Sequence, residues 1–266
     1  MIRNALIFIF LSAGSLWAGN LTQPTFNQGV TAIQARIHGS AGSCVETDTE
    51  LNQLSAFWPF NEGTGTSVAD VSTGTHAMTL VNTPSWEAGK CGNGLAFAAA
   101  SSEHATIINS PIIGGASVFT ISAWAKSSAN VYQIIYSEAS TGSDIPSITI
   151  SLAGQNDTFY CQYRDDGSND GSFGTADLNS DDGNWHHIVF VQRATNDREL
   201  FIDGTSRATN ATDCSSGFTL TQSEIGRIQQ SGFTGDYMDG SIDQLRVYVG
   251  RAFTGGEVTA LFNAGK

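Results

Sequence analysis

Charge is scarce in this sequence, and basic charge is scarcest. Charged residues make up 14% of the 266-residue chain, well below the roughly 25% usual for globular proteins. Against 25 Asp and Glu stand 12 Lys and Arg, for a net charge of −13. A surface so poor in cations cannot neutralise phosphates, which excludes nucleic acid and anionic lipid as natural partners and favours divalent cations. Cysteine is limited to four residues, none within two to four positions of another, so the spacing of a zinc cluster is missing. After residue 18 no apolar run approaches the ~20 residues that cross a bilayer as a helix, which argues against membrane insertion. There is no repeat of fixed period, no nucleotide fingerprint, no phosphate-binding loop and no Ser-His-Asp order.

The N-terminus supplies what the rest lacks. Arg3, the run "ALIFIFL" and then "SLWAGN" read as a secretory signal peptide over residues 1–18, cleaved after Ala18. The mature chain is therefore expected to be secreted, with the periplasm or the cell surface as its other destinations. In such a compartment Cys44, Cys91, Cys161 and Cys214 are expected to form two disulfides. Three connectivities are open, and sequence order suggests Cys44–Cys91 and Cys161–Cys214. Residues 19–52 form a polar leader, in which Val30, Ile33 and Ile37 have helical spacing. Asn20, Asn156 and Asn210 open glycosylation sequons, which matter only if the source glycosylates exported proteins.

From Leu54 the pattern changes. Short alternating or apolar runs recur with turn signals between them: "LSAFWPF", "HAMTLVN", "GLAFAAA", "EHATIIN", "VFTISAWAKS", "VYQIIYSEA", "ITISLAG", "TFYCQYR", "WHHIVFVQR", "RELFIDG", "SEIGRI" and "SIDQLRVYVG". This predicts one all-β sandwich over residues 53–266. Asp203-Gly204 predicts a tight type I′ hairpin, because both central positions of that turn need positive φ. Thr254 followed by Glu257 predicts a capping box, with Val258, Leu261 and Phe262 on one face of a short C-terminal helix and Gly265 at its end.

Several of these stretches, "AFWPFNEGTGTSVADVSTGTHAMTL", "GKCGNGLAF", "FTISAWAKS", "NWHHIVFVQ", "LFIDG" and "GSIDQLRVYVGRAFTGGEVTALFNAG", occur in the order found in laminin-G-like domains. The chain resembles that family, within the concanavalin A-like lectin and glucanase superfamily, from about Leu54 to Lys266. The resemblance implies a two-sheet antiparallel jelly roll, stabilisation by Ca2+, and binding to glycans or matrix. It also implies where calcium would sit: at Asp70 in the loop after the first strand and at Asp243 on the last long strand, with Glu62 as a further ligand. The family pattern Asp-x-Ser-Gly-Asn becomes "ADVSTGTH" here, with Ser72 in place and Gly74 displaced by one. The alternative is that these carboxylates cap turns.

Other motifs weigh less. In "ETDTE", Glu46, Asp48 and Glu50 would share one face of a strand, the arrangement of a retaining glycosidase. The intervening Thr47 and Thr49 are polar, however, and the motif precedes the first jelly-roll strand, so it reads as an acidic linker. Asp166, Ser168, Asp170, Gly171 and Asp177 follow the spacing of a calcium loop, but position 12 lacks the usual Glu and no helix flanks it. His186 and His187, adjacent on a strand, point to opposite faces and cannot share an ion. Tyr132, Tyr136, Tyr163, Phe173 and Tyr237 are the candidates for a glycan platform. The expected function is non-catalytic binding of carbohydrate or a glycosylated surface. The alternatives are a structural or adhesive role in a surface assembly and, behind both, a glycoside hydrolase.

Overall fold

Residues 147 to 152, Ser-Ile-Thr-Ile-Ser-Leu, alternate apolar and hydroxyl side chains. A strand therefore turns Ile148, Ile150 and Leu152 into a core and Ser147, Thr149 and Ser151 away from it. In the computed structural model, which describes residues 53–153, 158–175 and 178–265, this stretch is one of eighteen strands among the described residues.

Two eight-stranded sheets face each other, with every pairing antiparallel. The first contains β1 (Ala56–Trp58), β4 (Ser85–Ala88), β5 (Asn93–Phe97), β7 (Phe119–Ser127), β12 (His186–Ala194), β13 (Asp197–Ile202), β14 (Thr205–Asn210) and β18 (Gly240–Val249). Its spatial order is β14-β13-β12-β7-β18-β5-β4, with β1 also paired to β18. The second contains β2 (Ser67–Val68), β3 (Met78–Val81), β6 (His104–Ile107), β8 (Tyr132–Ala139), β9 (Ser147–Ala153), β10 (Thr158–Arg164), β11 (Phe173–Gly174) and β15 (Gln222–Ile225). Its order is β11-β10-β9-β8-β15-β6-β3-β2. A separate hairpin, β16 (Ile228–Gln230) and β17 (Phe233–Gly235), follows β15. This is the jelly-roll sandwich that the strand pattern predicts.

The core between the sheets holds Trp58, Leu95, Phe119, Phe190 and Leu245 from the first and Ile148, Ile150, Phe159, Tyr163 and Ile225 from the second. Each such side chain contributes roughly 1.5–3 kcal/mol by leaving water. The first sheet is covered on its other face as well. Phe57, Val189, Val191, Phe201 and Tyr248 pack there against Phe253 and Val258, the latter on α1 (Gly255–Asn263). Burial on both faces is why β7 and β12 read as near-continuous apolar runs. The helix starts as expected, with Thr254 accepting from Glu257 N and the Glu257 carboxylate accepting from Thr254 N. The two-residue turn of the β13–β14 hairpin has φ of 52° at Asp203 and 74° at Gly204.

One expectation is corrected. Cys161 and Cys214 are free, buried thiols and not a disulfide. Cys161 points from β10 into the sandwich core, while Cys214 Sγ lies 3.5 Å from Tyr163 O and 3.6 Å from Asn169 O. Each thiol is absorbed by packing, and burial pushes both upward from the usual cysteine range. The signal peptide, the leader with its short helix, the "ETDTE" motif and Cys44, and hence the expected Cys44–Cys91 pair, lie outside the described residues.

Candidate functional site

The carboxylates expected to bind calcium are each engaged by backbone donors. Asp70 Oδ1 accepts from Phe57 N (3.0 Å), Ser72 N (2.9 Å) and Ser72 Oγ (2.7 Å), and its Oδ2 accepts from His76 N (3.1 Å). Gly74 completes this staple, since a Cβ there would stand 2.3 Å from Ser55 O and 2.7 Å from Asp70 Oδ2. Asp243 is fully buried, with Oδ2 accepting from Cys91 N (2.8 Å) and Oδ1 from Gln244 N (2.7 Å). Burial pushes its carboxyl up to about 7, against the opposing pull of those amides. Glu62 Oε1 accepts from Ala69 N (2.9 Å). Among the described residues no group of three His, Cys, Asp or Glu side chains is arranged to hold a metal ion. With four donors on its two oxygens Asp70 is filled, and no three such side chains converge among the described residues, so this set does not fit a calcium shell.

The loop opening at Asp166 is a turn rather than a cage. Asp166 accepts from Thr219 N and Oγ1, and Asp170 accepts from Ser172 N, while Asp177 lies outside the described residues. The adjacent histidines face opposite ways, as β12 requires. His187 is buried on the outer face of the first sheet with its Nε2 2.8 Å from Ser122 Oγ. His186 sits between Asp203 (Nδ1–Oδ2, 2.8 Å) and Asp182 (Nε2–Oδ1, 3.3 Å), and the Asp203 bond raises its pKa.

A different place has the shape and chemistry of a binding site. On the face of the second sheet turned away from the core, β9 presents Ser147, Thr149 and Ser151. Its neighbours β8 and β10 present Tyr132, Tyr160 and Gln162. Small hydroxyl residues flanked by rings leave a trough along β9. The β16–β17 hairpin walls it, held to the sheet by the apolar cluster of Ile134, Ala139 and Ile228 with Tyr132. The resulting cleft, about 270 Å³, is lined by Tyr132, Tyr160, Gln162, Gln230, Phe233 and Asp236, with Ile134 and Ile228 at its apolar side.

Its polar groups are positioned but not all satisfied. Ser151 Oγ donates to Tyr132 Oη (3.0 Å) or Tyr160 O (3.1 Å), and Ser147 Oγ donates to Gln162 Oε1 (2.9 Å). Thr149, directly opposite Gln162 in the ladder, is fully buried and its Oγ1 has no hydrogen-bond partner of normal geometry. Asp236 is held at φ 54° and its carbonyl accepts from Ile134 N (2.9 Å), yet its carboxylate receives no hydrogen bond among the described residues. Burial raises that carboxyl and pushes the Tyr132 phenol up to about 12. Tyr132 and Tyr160 meet edge to face at 6.0 Å, and Phe233 is 45% exposed at the hairpin tip. Neutral rings, amides and an acceptor carboxylate around a small volume can hold a flat, hydroxyl-rich ligand.

Of the five aromatic residues proposed from sequence, Tyr132 alone lines the cleft. Tyr136 and Tyr163 are buried in the core, Phe173 packs against it, and Tyr237 stands beside His104 and Arg227. Tyr160, Gln162, Phe233 and Asp236 were not anticipated. The signal for them was the hydroxyl-only face of "SITISL" between two tyrosine-bearing strands.

With two antiparallel sheets, one short helix and a polar trough on one sheet, the molecule has the architecture of lectin-like sandwich domains. A laminin G family model of the concanavalin A-like lectin/glucanase superfamily matches residues 100–259, and the chain belongs to that family. No curated protein matches it in sequence. Among solved structures it is similar to the binding domain of Paraclostridial Mosquitocidal Protein 1, with TM-score 0.63 and 15% identity, over 80% of this chain and 52% of that one. It is also similar to the binding domain of botulinum neurotoxin serotype G, with TM-score 0.61 and 13% identity, over 79% and 50%. The chain thus spans about half the length of these two domains. A third similar structure is domain 4 of AbnA, a GH43 extracellular arabinanase from Geobacillus stearothermophilus, in complex with arabinotriose. There the TM-score is 0.56 and the identity 18%, over 79% of this chain and 98% of that domain. At these identities the likeness speaks for the fold alone.

Proposed function

We propose that the protein is an exported, non-catalytic carbohydrate-binding module whose ligand lies in the cleft between β8, β10 and the β16–β17 hairpin. The observation that carries this reading is the cleft itself: aromatic faces at Tyr160 and Phe233, amide groups at Gln162 and Gln230, and an acceptor at Asp236 that no donor among the described residues uses. Sugar rings offer that set an apolar face and a rim of hydroxyls. The arabinotriose-bound arabinanase domain, matched over nearly its whole length, supports the reading by fold. Export rests on the N-terminal signal-like segment. Glycan-array screening followed by calorimetry on the mature chain tests the proposal. Tyr160→Ala and Phe233→Ala should each weaken binding about tenfold, the equivalent of about 1.4 kcal/mol, while leaving the melting temperature near that of the wild type. Failure of the mature chain to bind any saccharide would remove this function.

A further inference from the structure

Resting on that carbohydrate-binding reading, we infer that the cleft selects neutral saccharides and rejects sialylated or uronic-acid sugars, with Asp236 as the discriminating residue. Among the described residues the cleft lining contains one carboxylic acid, Asp236, and no Lys or Arg. Its carboxylate is half-buried, accepts no hydrogen bond among the described residues, and stands close enough to Tyr132 to disfavour ionisation of that phenol.

The charged groups around the cleft are accounted for in turn. Arg227, next to Ile228 of the hairpin wall, is held in two hydrogen bonds of 2.6 Å by the Glu224 carboxylate, so it offers no free positive charge. Arg164 is on β10, on the same face as Tyr160 and Gln162, about 7 Å along the strand from Gln162 and about 13 Å from Tyr160, so it is beyond the ~8 Å over which salt lets charges act only at the Tyr160 end. It is also turned toward Asp170 (3.9 Å). Asp144, whose carbonyl accepts from Gln230 Nε2, adds negative charge at the rim. At the Tyr132–Tyr160 end, where Asp236 stands, an anionic sugar would therefore bring its carboxylate to an acid and no cation among the described residues, whereas a neutral sugar gives Asp236 the hydroxyl donors it lacks. A cleft of about 270 Å³ holds one or two sugar rings, so recognition is of a short stretch rather than a long chain.

The experiment is calorimetry on the mature protein with neutral oligosaccharides (arabino-, gluco- and galacto-configured) and with sialyllactose and oligogalacturonate, for the wild type, Asp236→Asn and Thr149→Val. Neutral sugars should bind the wild type at least tenfold more tightly than the anionic ones at pH 7.5. Asp236→Asn should shrink that ratio to within about threefold, by improving the anionic sugars more than it weakens the neutral ones. Thr149→Val, at a fully buried position outside the cleft lining, should leave both affinities and the ratio alone. Lowering the pH should narrow the wild-type ratio and leave that of Asp236→Asn unchanged. Tighter binding of the anionic sugars by the wild type, or an unaltered ratio in Asp236→Asn, overturns the selectivity and leaves carbohydrate binding standing. Absence of binding to every sugar instead overturns the function on which the selectivity rests.

Discussion

Glu138 is the buried acid whose loss should cost this fold most, and the cost can be worked from its partners. Its side chain is completely buried on β8. Oε1 accepts from Ile112 N (2.8 Å), Ile113 N (2.8 Å), Tyr136 Oη (2.7 Å) and Ser223 Oγ (3.2 Å), and Oε2 accepts from Gly114 N (2.9 Å). One carboxylate thus fixes the loop at residues 112–114 to the second sheet. In Glu138→Ala the amides of Ile112 and Gly114 can still find water, being half-buried, but Ile113 N–H cannot, and the buried Tyr136 and Ser223 hydroxyls are left with only each other, so one of their two protons also loses its acceptor. Two orphaned donors at about 1–3 kcal/mol each, with the lost side-chain volume, give a destabilisation of about 3–5 kcal/mol. For a domain of this size each kcal/mol moves the melting temperature by roughly 2–4 °C, so the variant should melt roughly 6–20 °C lower. Glu138→Gln, which keeps one acceptor oxygen, should fall between the two. Circular dichroism melts at pH 7 are the assay, with saccharide binding measured well below the transition. Binding should be unchanged, because the cleft lies on the other face of β8. A drop of less than about 3 °C would refute the reasoning, and a selective loss of binding in a protein of normal stability would mean that Glu138 has a role at the ligand.

The fold was legible because strands that pack on one side announce themselves by period two. Each of the twelve runs from "LSAFWPF" to "SIDQLRVYVG" contains a strand, and Asp203-Gly204 and Thr254 with Glu257 mark their turn and cap because those conformations demand particular residues. What stayed hidden was short or depended on other strands. β2 and β17, at two and three residues, are too brief to show a period, and β4 carries a half-exposed pattern with no alternation. Pairing Cys161 with Cys214 failed because order along the chain does not say which face a residue takes, and Cys161 faces the core. Asp70 and Asp243 were found as special positions, but sequence does not show that the surrounding backbone aims its N–H groups at them. The cleft was least legible of all. It exists because β9 is small-sided between two strands with rings, a property of strand order in space, and β9 meets β8 and β10 only once the sheet is assembled.

The remaining predictions concern metal, thiols and pH. Melting curves in calcium and in chelator should coincide within about a degree; a rise of several degrees in calcium would mean that backbone carbonyls or residues outside the described ones complete a shell. Mass mapping without reductant should find Cys161 and Cys214 as thiols that react with iodoacetamide only after denaturation, whereas rapid labelling of the native protein would contradict their burial. His186, whose pKa is raised by Asp203, should stabilise the fold below its ordinary pKa and lose that effect as pH rises through the raised value, so His186→Gln should flatten stability above about pH 6.5. Asp243 supplies a separable slope in a lower window. With its carboxyl at about 7 in the fold and near 3.9 in the unfolded chain, the folded state binds the extra proton between those values. Stability from this group is therefore full below about pH 4 and is lost as pH climbs to 7, by an upper limit of about 4 kcal/mol at 1.36 kcal/mol per unit. Asp182, Asp203 and Asp165 are shifted the other way and lose their stabilisation only as pH falls below about 4, whereas the raised Asp236 and the lowered His104 and His187 add slopes of their own between about pH 4 and 7, so the Asp243 slope is read as the difference between the wild type and Asp243→Asn. Asp243→Asn keeps the shape but offers one acceptor oxygen to the N–H groups of Lys90, Cys91 and Gln244, which lowers stability by a similar amount at every pH. Its denaturant midpoint should consequently start below that of the wild type at pH 5 and approach it by pH 7. Parallel midpoint curves for the two proteins across that range would show that Asp243 is already ionised in the fold, its charge compensated by the Cys91 and Gln244 amides and the neighbouring Arg246.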